Sequence, residues 1–119
     1  MQKRNISRAY KVATEIKKVL SEYLLLNPFG DERINSTFLS ITDVISSPCL
    51  RHMKIYVASL LKNISNADCL EFCNKYASSM RYHLGKKIRL KFVPDLSFFI
   101  SASFDDVRRI ESLLKTSKY

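Results

Sequence analysis

A two-layer α+β domain, with helices on one face of a three-stranded sheet, is the fold this sequence predicts. Three patterns point to it. Ala9, Val12, Ala13, Ile16, Val19, Leu20 and Tyr23 fall within an arc of about 120° at helical spacing. Met53, Ile55 and Val57 alternate with Lys54 and Tyr56, as in a strand with one buried face. Leu70, Cys73, Ala77, Met80 and Leu84 repeat in steps of three and four, as on a second helix.

The first helix is expected from about Ile6 to Leu26, with Arg4, Arg8 and Lys11 along one flank of its stripe and no acid before Glu15. Asn27-Pro28-Phe29-Gly30-Asp31 should stop it, because proline restricts the preceding residue and glycine supplies positive φ. Ile34 to Ile45 reads as a first strand with its odd positions apolar, ended by Ser46-Ser47-Pro48. A short turn to the second strand implies an antiparallel pair. Ser65-Asn66-Ala67-Asp68 is a capping signal for the second helix, which should run to about Leu84, with a bend or break at Ser78-Ser79 and Gly85 as C-cap. Ile88 to Phe92, then Leu96, Phe98 and Ile100, make a last extended segment broken by Pro94. Ser103 and Asp106 open a short final helix with Val107, Ile110, Leu113 and Leu114 inward. The chain of 119 residues fits one unit spanning 1–119, with an ordered core of about 5–116.

Twenty Lys and Arg against eleven Asp and Glu give a formal charge of +9, which attracts polyanions before any shape is recognised. Nucleic acid is therefore the leading partner class. No apolar run approaches the ~18 residues that span a bilayer, so no membrane partner is expected. The basic N-terminus lacks the apolar stretch of a secretory signal, although its cationic, acid-free start bears a faint likeness to an organelle presequence. The odd count of cysteines, Cys49, Cys69 and Cys73, argues for reduced thiols in a cytoplasm.

With only Gly30 and Gly85, no glycine-rich phosphate loop can be written, and no hydrolase or metalloprotease motif occurs. Neither cofactor nor metal is expected. Cys69 and Cys73 lie one helical turn apart and read as buried small apolar side chains in preference to metal ligands. His52 and His83 read as surface or RNA-facing residues, since no carboxylate or nucleophile is patterned near either. The strongest local signal is Phe72 to Pro94, which holds Lys75, Arg81, Lys86, Lys87, Arg89 and Lys91 and no acid. Tyr76, Tyr82 and Phe92 interleave with these charges, either to stack on bases or simply to pack.

Ile88-Arg89-Leu90-Lys91-Phe92-Val93-Pro94-Asp95-Leu96-Ser97-Phe98, followed by Ser103 and the 110–114 helix, resembles the C-terminal signature of ribosome-binding factor A proteins. Arg8-x-x-Lys11-Val12, Lys54-Ile55-Tyr56-Val57 and Arg81-x-x-Leu84-Gly85-Lys86 are similar in kind and order, so the likeness covers roughly residues 4–116. It implies a type II KH-like domain of order α-β-β-α(kink)α-β-α, in which a helix-kink-helix built on Ala-x-Gly replaces the usual glycine-bounded loop. Here the motif is Ala77-Ser78-Ser79, Ser47-Pro48-Cys49-Leu50 stands for Ser-x-Asp-Leu, and Ser101 replaces a common Asp.

By resemblance, the protein is a monomeric, non-catalytic cytoplasmic factor. It would bind the small (30S) ribosomal subunit in late assembly, aid maturation of the 16S rRNA 5′ end, matter most in the cold, and be released by a ribosome-dependent GTPase. Arg4, Arg8, Lys11, Lys75, Arg81, Lys86, Lys87, Arg89 and Lys91 are the expected RNA contacts, converging from two helical regions on one surface. Two other classes remain open. A metal-dependent RNA-processing nuclease would have to gather acids from Asp31, Glu32, Asp43, Asp95, Asp105 and Asp106. A membrane-surface or DNA-binding module would use the cationic first helix.

Overall fold

In the computed structural model, residues 2–26, 28–29 and 36–101 are described, with side chains from Arg8 onward. Helix α1 (Gln2–Leu25) begins four residues earlier than the apolar stripe suggested. Ala13, Ile16, Leu20 and Leu24 are buried along it, and Val12, Val19 and Tyr23 pack on the flanks of the core. A 3-10 turn (Ser36–Phe38) leads into β1 (Leu39–Ser46), so the extended segment starts later than expected. The buried Ser36 hydroxyl donates to the Leu24 carbonyl at 2.6 Å, which satisfies one of the unpaired carbonyls at the end of α1.

The expected alternation holds through Leu39 and Ile41 and then fails. Pairing with β2 (His52–Ser59) passes from Ile41–Val57 to Asp43–Tyr56, leaving Thr42 as an extra residue. This bulge moves the inward position from odd to even: Val44 is buried and Ile45 is half-exposed. The Thr42 hydroxyl donates to the Tyr56 carbonyl at 3.2 Å. The β1–β2 pair is antiparallel as expected, and its turn is tight. Ser47 N–H donates to His52 O (2.9 Å), His52 N–H donates to Ser47 Oγ (3.1 Å), and Leu50 adopts φ 63°, a left-handed conformation that costs a leucine about 1–2 kcal/mol.

Ser65 caps α2 (Asn66–Lys75), its hydroxyl accepting the Asp68 N–H. The helical run breaks at Tyr76 (φ −105°, ψ 12°) and resumes as α3 (Ala77–Lys87). The break thus falls two residues before the expected Ser78-Ser79, and Ala77, Ser78 and Ser79 form the first turn of α3. Ser78 and Ser79 are exposed. The Tyr76 ring packs on Phe29 and Phe72, and its backbone still serves both helices: its N–H donates to Phe72 O and its carbonyl accepts Met80 N–H. Gly85 is not the C-cap either. It lies inside α3, where a Cβ would stand 3.1 Å from Val93 Cγ2, so a bare Cα lets the helix close on that segment.

Ile88 to Pro94 is irregular rather than extended, and only β3 (Asp95–Ile100) joins the sheet. It runs parallel to β2, with α2 and α3 as the crossover that parallel pairing requires. Strand order is β1-β2-β3. The Asp95 N–H donates to Arg51 O and the Ser101 N–H to Val57 O, tying both ends of β3 to β2. Helices α1 and α2 pack on the face that buries Met53, Ile55 and Val57, giving the expected two layers. The expected helix after Ser103 lies outside the described residues.

Candidate nucleic-acid interface

Helix α1 is the ruler of the molecule. Past its C-terminal end, Phe29 stacks on Tyr76 (4.2 Å between ring centroids, 14° between planes). One turn from that end, Tyr23 stacks on His83 of α3 (4.0 Å, 17°). Near the other end, Arg8 shares a cleft with Leu90 and Lys91. Successive points along α3 and the segment after it therefore meet α1 from its C-terminus toward its N-terminus. The 17 residue steps from Arg8 to Leu25 hold the two ends about 25 Å apart.

The cleft beside Arg8 has a volume of about 410 Å³. Its walls come from α1 (Arg8), the β1–β2 turn (Cys49, Leu50, Arg51) and the segment after α3 (Lys91, Phe92). Among the described residues, three cations face into it and no carboxylate lines it. The Arg51 guanidinium carbon lies 4.6 Å from the Phe92 ring centroid, and Lys91 Nζ lies 5.6 Å from it. A neighbouring groove between α1 and β1, lined by Ala9, Ala13, Val44 and Ile45 and edged by Asp43, is mainly apolar.

The expected RNA contacts divide accordingly. Arg8 and Lys91 meet in the cleft. Lys11 is exposed one turn after Arg8, and Arg4 lies one turn before it on the α1 backbone, its side chain outside the described residues. Lys86, Lys87 and Arg89 are exposed on the last turn of α3 and the approach to the cleft. Lys75 is separate: it sits with its Nζ 5.2 Å from the Tyr76 ring, at the far end of α1. Arg81 is differently employed from what its sequence neighbours suggest. Its Nε donates to Pro94 O (3.0 Å), a terminal nitrogen donates to Val93 O (3.1 Å), and the same nitrogen lies 3.7 Å from Asp95. Those bonds fasten the loop into β3 and engage two of the five guanidinium N–H donors.

Sequence reasoning missed Arg51, which lies between Leu50 and His52 at the hairpin turn and reaches Arg8 only through the fold. A signal was present, because Val44 to Ala67 contains no acid, the same criterion that singled out 72–94.

The interleaved aromatics also separate. Tyr76 is half-buried in a cluster with Phe29 and Phe72, which excludes it as a base-stacking surface. Tyr82 and Phe92 are exposed (68% and 50%), each beneath a cation, with Lys86 Nζ 4.5 Å from the Tyr82 ring. His83 is half-buried, and burial, followed by the charges of Lys87 and Lys86, holds its imidazole below the ordinary value. His52 Nδ1 lies 3.8 Å from Asp95, a carboxylate that the sequence pattern did not place there.

Cys69 and Cys73 are buried as expected, and their mutual hydrogen bond, with burial, pushes the Cys73 thiol up. Cys49 is exposed, and the Ser47 hydroxyl at 3.4 Å draws its thiol down. Among the described residues, no group of three or more His, Cys, Asp and Glu is placed to hold a metal ion, and no helix is long and apolar enough to cross a membrane.

The family model for ribosome-binding factor A matches residues 8–114. A ribosome-binding factor A of Zymomonas mobilis is 35% identical over 109 residues, covering 92% of this chain and 77% of that protein. The crystal structure of ribosome-binding factor A from Thermus thermophilus shares the fold at a TM-score of 0.65 and 17% identity, covering 77% of this chain and 93% of that one. A homology model of the Thermus thermophilus factor, fitted into an electron cryo-microscopy map of its complex with the 30S subunit, also shares the fold. Its TM-score is 0.58 at 18% identity, with 73% of this chain and 88% of that one covered.

Proposed function

Because the chain belongs to the ribosome-binding factor A family, we propose that it binds the small ribosomal subunit through 16S rRNA and assists late assembly and maturation of the rRNA 5′ end. In this reading it works in the cytoplasm as a monomer, catalyses nothing itself, and is released by a ribosome-dependent GTPase. The observation that carries the reading is the cationic cleft where Arg8, Arg51 and Lys91 meet, with no carboxylate among its described lining residues, continued by Lys86, Lys87 and Arg89. Such a surface gains affinity by displacing counterions from a phosphate backbone. The Thermus thermophilus relative, fitted into density of its complex with the 30S subunit, supports the choice of partner.

The two acids of the nuclease reading that are described stand on opposite edge strands. Asp43 pairs with Tyr56 and Asp95 with His52, so sheet spacing puts them on the order of 15 Å apart. That is too far for shared metal ions, which a two-metal site holds about 4 Å apart. Asp43 is moreover bonded to the Val44 N–H, and Asp95 lies against His52 and Arg81.

Co-sedimentation at one salt concentration, comparing immature small subunits with liposomes and duplex DNA, tests the proposal. Preferential recovery with the subunits is expected. Equal recovery with liposomes or DNA would favour a general polyanion binder, and magnesium-dependent shortening of precursor rRNA that chelator stops would make the protein an enzyme.

A further inference from the structure

We propose that the cleft beside Arg8 receives a single unpaired nucleotide, its base stacked on the Phe92–Arg51 pair and its phosphate held among Arg8, Arg51 and Lys91. The proposal rests on the RNA-binding reading and goes further by giving one site and one kind of RNA, a strand with an accessible base rather than a duplex.

Three observations lead there. First, among the described residues no lining carboxylate compensates the charges in the cleft, which suits it to an anion. The nearest acid in sequence, Asp95, is taken up by His52 and Arg81. Second, the cleft is more than an anion site. At about 410 Å³ it falls within the size range of small-ligand pockets, larger than a phosphate fills. One wall is an aromatic ring left half-exposed in a folded domain. A guanidinium at 4.6 Å on that ring makes a polar and apolar surface suited to a nucleobase, which stacks equally on aromatic rings and on arginine planes.

Third, the wall is prearranged. Arg51 follows the left-handed Leu50, in a turn pinned by the Ser47 hydroxyl on the His52 N–H, and its own carbonyl accepts the Asp95 N–H. Backbone held on both sides of Arg51 limits the ordering that binding must supply. A base inside a duplex already stacks on its neighbours and cannot enter, so the site selects unpaired strand.

The chain contains no tryptophan, so F92W places a single reporter in the wall while keeping a stacking ring. The full-length F92W protein is titrated with three RNAs of equal length: a single strand, the same strand with abasic positions, and a duplex. The fluorescence should be quenched by the base-bearing strand and changed little by the abasic strand or the duplex. In the unsubstituted protein, anisotropy should show the single strand bound roughly tenfold or more tightly than the abasic one.

Phe92→Leu, which keeps apolar bulk and removes the ring, should abolish that preference, so that base-bearing and abasic strands bind alike, in a variant whose thermal midpoint shows that it is folded. Unaltered preference in F92L, or equal quenching by duplex and single strand, overturns the nucleotide pocket. If base-bearing and abasic strands bind alike but reversal of Lys86, Lys87 and Arg89 still weakens both, the pocket is wrong and the RNA-binding reading survives. If no RNA binds at all, both fall.

Discussion

The two ends of α1 use the same residue types for opposite purposes. At its C-terminal end, Tyr23, Phe29, Phe72, Tyr76 and His83 pack ring on ring, and Lys75 merely lies over the outside. Near its N-terminal end Phe92 stays half-exposed among Arg8, Arg51 and Lys91. Tyr76 and Phe92 are both aromatics within one basic, acid-free stretch, and nothing local distinguishes them. What separates them is the partner that folding supplies: other rings in one case, cations in the other. Rings that face rings hold the fold together, whereas a half-exposed ring that faces cations makes the kind of surface the proposal assigns to RNA.

This contrast breaks most readily at Phe72, which is buried between Phe29, Phe38 and Tyr76. Phe72→Ala should cost about 3–5 kcal/mol in urea unfolding. The salt dependence of RNA binding should be unchanged under conditions where the variant is folded. A smaller loss would mean the aromatic end is not the structural one.

The converse variant reverses Lys86, Lys87 and Arg89 to Glu. It should leave stability within about 0.5 kcal/mol while weakening subunit binding and reducing the salt slope by ~0.7 per lost contact with single-stranded RNA. Unchanged binding and slope would clear this segment of the role.

Ser36→Ala probes the structural end more gently. It removes the hydroxyl that donates to Leu24 O and leaves a buried carbonyl with one partner fewer, for an expected loss of about 1–2 kcal/mol with no effect on RNA. A neutral outcome would show that water replaces the hydroxyl.

His83 joins the two regions, stacked on Tyr23 and held low by burial and by Lys87 and Lys86. Because its folded value is depressed below the ordinary 6.5, the unfolded chain takes up the proton first. The contribution is therefore fully present above pH 6.5 and is lost as pH falls through the folded value. Imidazole titration by NMR should place His83 below 6.5 in the free protein and raise it when RNA neutralises the two lysines. A free value at or above 6.5, or one indifferent to RNA, would uncouple the lysines from the site.

Most of the fold is legible in the sequence because its cues are periodic. The stripes of α1 and of β2 follow from apolar spacing, and the start of α2 from Ser65. The departures share one cause, which is that a distant contact overrules a local cue. Gly85 looks like a helix end but lies inside α3 close against Val93, and Ser78-Ser79 looks like a break that falls instead at Tyr76, whose ring packs on Phe29. The alternation of β1 is reset by a bulge that no residue type announces.

The site is legible as charge but not as geometry. Arg81 is indistinguishable in sequence from Lys86, yet it fastens the 93–95 loop. Arg51 becomes a candidate only when the hairpin turn is brought against Arg8.

Hydrogen–deuterium exchange of the full chain, alone and bound to immature small subunits, addresses the division of labour directly. Binding should slow exchange in residues 47–51, in 86–92 and in the first turns of α1, and leave 66–76 as in the free protein. Slowed exchange confined to 66–76, with 47–51 and 86–92 unaffected, would put the ribosome on the aromatic end and contradict the account.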